Sequence, residues 1–175
     1  MSIYSKSNRQ SIRLKHYDYS AEGCYFITIC TKNGKNMFGK IVGAGLASAQ
    51  NNIKLSIIGK IVNEQWNNII NYQKNIELDQ HIIMPNHIHG IIIINKRAEA
   101  SPAPTLSKMI CSFKSKCTNE YMFHIKQNNL NVSCKLWQRS FYDHIIRNEE
   151  SLHKIREYII NNPVNWDKDE YSNQL

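Results

Sequence analysis

Ile76-Glu-Leu-Asp-Gln-His-Ile-Ile-Met-Pro-Asn-His-Ile-His-Gly-Ile-Ile-Ile-Ile-Asn95 is the stretch that decides the fold. Two runs rich in isoleucine flank Pro85-Asn86. Proline presets the first dihedral of a tight turn, and asparagine tolerates the position after it. The stretch therefore predicts a strand over Ile76–Met84, a turn, and a second strand over His87–Asn95. The unbroken apolar run Ile91–Ile94 marks the second strand as central and rigid.

Upstream, Leu55, Ile58, Val62, Trp66, Ile69 and Ile70 follow helical spacing, which predicts a helix from about Ser56 to Tyr72. Before it, Gly43–Gln50 is small-residue loop material. Tyr25–Thr31 has strand composition, Asn33-Gly34 is a turn signal, and Met37–Val42 is expected to return as the partner of a hairpin. Downstream, Lys96–Pro104 is a loop with two prolines. Thr105 then caps a helix with Leu106, Met109, Ile110, Phe113 and Cys117 on one face. His124–Lys135 is a polar loop, and Leu136–Arg147 is extended. Asn148 caps a last helix whose first turn holds Glu149 and Glu150, as the helix dipole favours, and Pro163 ends it. The order is strand pair, helix, hairpin, helix, strand, helix. It predicts an α+β fold: a ferredoxin-like antiparallel sheet with helices packed on one face. The chain divides into a basic lead-in over 1–22, one domain over 23–166 and a short acidic tail over 167–175.

The 175 residues suit one domain, and 42% hydrophobic content can fill one core. Abundant isoleucine and 10% aromatic residues exclude a disordered chain. No apolar run approaches the roughly 18 residues of a membrane helix, and the N-terminus has no apolar signal region, so neither a membrane span nor secretion is expected. Five cysteines, none in a C-x-x-C pair, fit free thiols in a reducing compartment. Lysine and arginine number 22 against 14 acids, a net charge of +8. Such a surface suits a polyanionic partner, because cationic groups release condensed counterions from nucleic acid, and equally serves solubility alone.

Two features carry chemistry. In Met84-Pro-Asn-His87-Ile88-His89-Gly90, residues i and i+2 of a strand share a face, so His87 and His89 project together with Ile88 opposite. Neutral imidazoles side by side can chelate a divalent metal. By spacing alone the plainer reading is two structural histidines beside a turn. In the last helix, Leu152, Ile155 and Ile159 form the core stripe. Tyr158 and Asn162 lie one turn apart on a neighbouring face. Pro163 disfavours helical geometry at Asn162, which places its amide at a fraying end. Alone, these two are open to being a half-buried tyrosine and a C-cap. Combined with the histidines, a phenol one turn from an amide oxygen suits phosphodiester cleavage by attack of the tyrosine.

The ordered set Met84-Pro-Asn-His-Ile-His-Gly90, Trp137-Gln-Arg139, Tyr142-Asp-His-Ile-Ile-Arg147 and Tyr158-Ile-Ile-Asn-Asn-Pro163 resembles the single-tyrosine HUH transposases, relatives of the IS200 type. The branch it looks most like is the REP-associated tyrosine transposases. The likeness runs from about Tyr25 to Trp166. It implies a DNA strand transferase and endonuclease that cleaves and rejoins single-stranded DNA near hairpins through a 5′-phosphotyrosine. It further implies Tyr158 as nucleophile, His87, His89 and Asn162 as metal ligands, and Mg2+ or Mn2+ as the metal. The implied partner is single-stranded DNA with palindromic hairpin elements, with no membrane and a possible homodimer. The implied location is the bacterial cytoplasm, at the nucleoid when bound to DNA.

Expected DNA contacts are Arg13 and Lys15 in the leader and Lys108 and Lys114 on the Thr105-capped helix. Aromatic residues such as Tyr17, Tyr19 and Tyr25 are available to stack bases. His144 and Arg147 are open between binding phosphate and bracing the tyrosine helix. Tyr142 is a rival nucleophile on the extended segment. Two other functions remain open at this level: a domesticated, non-cleaving single-stranded nucleic-acid-binding protein, and a metal phosphoesterase that uses water.

Overall fold

The hairpin forms in the computed structural model, which describes residues 21–42, 53–95, 105–169 and 171–172. Strand β4 (Ile76–Ile83) and strand β5 (His87–Ile94) pair antiparallel. The turn closes with the Met84 N–H donating to the His87 carbonyl at 2.8 Å. Its own carbonyls are captured: Phe38 N–H donates to Pro85 O and Thr31 N–H to Asn86 O, both at 2.8 Å. With these carbonyls engaged the turn can be buried, and Met84, Asn86 and His87 are.

Strand β1 (Gly23–Cys30) pairs with β5 on one side and with β6 (Tyr142–Ile146) on the other. The sheet order is β4-β5-β1-β6, all antiparallel. The strand expected to return onto β1 does not do so. Strand β2 (Gly39–Ile41) pairs instead with β3 (Ile53–Leu55) in a separate two-stranded sheet. The reason is that both edges of β1 are taken, so no backbone donors remain for a third partner. The Asn33-Gly34 signal produces a single 3-10 turn with both residues at positive φ, which redirects the chain.

Helix α1 (Ile57–Asn67), capped by the Ser56 side chain, is followed after Asn68 by the short α2 (Ile69–Tyr72), so the expected helix is interrupted. Helix α3 (Leu106–Gln127), capped by Thr105, runs four residues into the expected polar loop. Only Tyr142–Ile146 of the expected extended stretch is strand, joined upstream by a Thr31–Trp137 bridge. Helix α4 (Glu149–Asn161) begins at Asn148, whose side chain accepts from Ser151 N at 2.8 Å.

The α+β antiparallel sheet read from the sequence is present, and its helices divide between its faces. Tyr25, Ile27, Ile29, Ile88 and Ile92 point into the core built with α1 and α3. Phe26, Ile82, Met84, Ile91 and Ile146 point the other way, under Leu152 and Ile159 of α4. A strand apolar on both faces needs cover on both, and Ile91–Ile94 is such a strand. Gly90 makes the α1 side possible, because a Cβ there would lie 2.2 Å from the Trp66 ring. On the other side, a β-bulge between Leu78 and His81 accompanies an Asp79 carboxylate paired with Arg156 of α4. Among the described residues no helix is long and apolar enough to cross a membrane.

Candidate active site

His87 and His89 lie on β5 on the face covered by α4, with ring centroids 4.4 Å apart and both rings essentially buried. Each ring is oriented by a neighbour. The Asn86 amide donates from Nδ2 to the carbonyls of Gly34 (3.1 Å) and Tyr171 (2.7 Å), which turns its Oδ1 to His87 Nδ1 at 2.8 Å. An amide oxygen only accepts, so His87 carries its proton on Nδ1 and leaves Nε2 as a bare lone pair. That Nε2 is buried without a hydrogen-bond partner. His89 Nδ1 meets the Thr28 hydroxyl at 2.9 Å, across the β1–β5 register that pairs these two residues.

Burial pushes the His87 pKa down to about 4, partly offset by the Asp169 carboxylate. His89 is also driven well below the ordinary imidazole range, by burial and then by its neighbour His87. Both rings are therefore neutral at pH 7, the state in which imidazole binds metal.

Helix α4 brings the phenol. Tyr158 Oη lies 3.2 Å from His89 Nε2, and its ring meets Phe26 edge-on while Phe26 stacks on His89. The two ring nitrogens of His89 are thus flanked by two hydroxyls, Thr28 at Nδ1 and Tyr158 at Nε2. The residue keeps 43% of its surface exposed.

One turn on, Asn162 retains right-handed helical dihedrals (φ −57, ψ −42) despite Pro163, so the expected fraying does not occur there. Burial to 2% exposure and a 2.7 Å hydrogen bond from its Nδ2 to Asp169 Oδ2 hold it. Its Oδ1 is buried without a partner.

The implied metal can be tested on this donor set. His87 Nε2 and Asn162 Oδ1 are two orphaned buried acceptors, and burying them without a positive partner is costly. Ligand atoms of His87, His89 and Asp169 lie within 4.8 Å of one another. Two neutral imidazoles with an oxygen donor, the Asp169 carboxylate or the orphaned Asn162 amide oxygen, suit a divalent cation.

Sequence reasoning missed Asp169, Asn86 and Thr28. Asp169 sits in the acidic tail and reaches the histidines through a 3-10 turn over Trp166–Lys168, with the Tyr171 ring 4.8 Å from that of His87. The signals were a lone polar residue in an apolar strand for Thr28 and the turn asparagine itself for Asn86.

The expected DNA contacts are scattered. Arg13, Lys15, Tyr17 and Tyr19 lie outside the described residues. Lys108 and Lys114 are on α3, across the sheet from the histidines. Lys114 Nζ donates to the carbonyls of Gln138 and Ser140 at 2.9 Å each, and burial lowers its pKa to about 8. His144 is exposed on β6 in register with Phe26, so it shares the histidine face, and Arg147 is exposed where β6 meets α4. Tyr142 also lies on that face, opposite Thr28.

Comparison with known proteins adds three findings. The sequence model of the family described as "Transposase IS200 like" matches residues 24–162. An uncharacterised protein of Haemophilus influenzae is 36% identical over 174 residues, spanning 93% of this chain and 92% of its own length. A REP-associated tyrosine transposase, solved bound to a REP hairpin, is similar in fold, with a TM-score of 0.54 at 16% identity over 87% of this chain and 73% of that one.

Proposed function

The chain belongs to the IS200-like transposases, within the single-tyrosine HUH group, and on that premise we propose that it cleaves and rejoins single-stranded DNA beside hairpins. The observation that carries this reading is the 3.2 Å approach of Tyr158 Oη to His89 within one chain. In this account Tyr158 is the nucleophile, acting on the site of its own subunit. His87, His89 and Asn162 hold Mg2+ or Mn2+. The hairpin seen with the REP-associated relative supports a hairpin-bearing strand as the substrate.

The phenol oxygen attacks the phosphorus, and the bond to the 3′ oxygen breaks. The phenol proton is lost, the departing oxygen gains one, and the products are a 5′-phosphotyrosine and a free 3′-hydroxyl. Rejoining is the reverse: a 3′-hydroxyl attacks the same phosphorus and Tyr158 leaves. The ester conserves the bond's energy, so no nucleotide cofactor is needed. A bound divalent cation would polarise the phosphate oxygens and stabilise the charge developing on the leaving oxygen. The chain's own contribution is placement. The phenol oxygen lies 3.2 Å from His89 Nε2, the nitrogen that would turn to the cation, so the nucleophile stands beside the metal position; Phe26 fixes the ring edge-on, and α4 sets both Tyr158 and Asn162 from one rigid element.

The test is a denaturing gel. Protein is incubated with Mn2+ and a hairpin-flanked single strand labelled 3′ of the cut. A slow, protease-sensitive labelled band is expected. Binding without cleavage in Mg2+ or Mn2+ would contradict the proposal and favour the non-cleaving single-stranded nucleic-acid-binding protein. A free 5′-phosphate with no adduct would indicate hydrolysis by water.

A further inference from the structure

We propose that Asp169 is a positioning residue that fixes the Asn162 carboxamide with its oxygen turned from the carboxylate and free to ligate a metal. The inference deepens the metal site above and rests on that reading.

A primary amide in a buried site has two orientations related by a half-turn, one presenting oxygen and the other nitrogen. Only the oxygen can bind a cation. Asn162 Nδ2 donates to Asp169 Oδ2 at 2.7 Å. A carboxylate only accepts, so the amide nitrogen must face Asp169. The flipped amide would set its oxygen against the carboxylate and lose a charge-assisted hydrogen bond. Asn162 Oδ1 is thereby turned away from Asp169, where it stays buried with no hydrogen-bond partner.

Asp169 is itself held. Its Oδ1 accepts from the Tyr171 N–H at 2.7 Å, and its own N–H donates to the Trp166 carbonyl at 3.1 Å. Tyr171 O in turn receives the Asn86 amide that orients His87. The C-terminal turn thus sets both orphaned acceptors of the site: Asn162 Oδ1 through Asp169, and His87 Nε2 through Asn86. Outer partners of this kind tune metal affinity by about 10- to 100-fold.

The experiment is a double-mutant cycle on Mn2+ affinity, read by electron paramagnetic resonance on the full chain without DNA. Asp169→Ala and Asn162→Ala are each expected to weaken binding about tenfold or more. The double variant is expected to bind within about twofold of Asn162→Ala, because Asp169 acts only through the amide. Thermal melts accompany each variant, and Asp169→Asn, which keeps the side-chain size, replaces the alanine change should that variant fail to fold. Unchanged affinity in Asp169→Ala overturns the proposal. So does a double variant that loses the product of the two single effects, since Asp169 would then be an independent ligand. In both of those cases the wild-type site still binds metal and the proposed function stands. A wild-type chain that binds no Mn2+ overturns the positioning role and the metal site alike.

Discussion

The hydroxyl of Tyr158 lies 3.2 Å from Nε2 of His89, a residue 69 positions earlier in the chain. The contact is made between two rigid elements, the inner strand β5 and the final helix α4, and Phe26 of β1 packs against both rings. Nothing local brings these groups together. Their meeting is a consequence of α4 covering the histidine face of the sheet.

His87→Ala removes one orphaned acceptor while leaving the turn's backbone hydrogen bonds in place. The expected outcome is Mn2+ affinity lowered at least about tenfold and loss of metal-dependent cleavage, with an unchanged far-UV circular dichroism spectrum. A collapsed spectrum would mean that the ring is there for packing.

Gly90→Ala puts a methyl group where the Trp66 ring already sits, at 2.2 Å. Overpacking of a close-fitted core costs about 1–3 kcal/mol. The variant should melt earlier by urea titration, and its cleavage should fall as well, because β5 carries both histidines next to that contact. A wild-type melt would show that the indole can move aside freely.

Arg156 ties α4 to the β4 bulge, with Nε 3.1 Å from both oxygens of Asp79. The guanidinium lowers the Asp79 pKa below the ordinary value of 3.8. Arg156→Met is expected to cost about 1 kcal/mol, reduced from a buried pair's value because the arginine is partly solvated. The sign with pH follows from linkage. Folded Asp79 holds its proton less tightly than the unfolded chain does. The pair's contribution is therefore full above pH 3.8 and fades as pH falls through the lower folded value. The stability gap between wild type and variant should close on acidification, and a gap independent of pH would assign the effect to lost packing.

Much of this was legible before any coordinates. The hairpin around Pro85-Asn86 follows from its turn chemistry, and the two histidines share a face because strand period demands it. The caps at Thr105 and Asn148 are local signals, and both form. Pairing partners were harder, because Met37–Val42 has strand composition whichever edge it meets, and only the occupancy of β1 by β5 and β6 sends it to β3. Helices were expected on one face of the sheet, whereas Ile91–Ile94 is apolar on both and α4 covers the second; which helix covers which face depends on long-range packing. Asp169 was the least legible. A carboxylate in a charged tail looks solvated, and its role emerges only when the chain turns back at Trp166 to meet Asn162.

The central claim is tested most directly by replacing each tyrosine of the histidine face in turn. With a labelled hairpin-flanked single strand and Mn2+, Tyr158→Phe should bind DNA as the wild type does and form no covalent adduct. Tyr142→Phe should still form it. An adduct that survives in Tyr158→Phe and disappears in Tyr142→Phe would contradict the account.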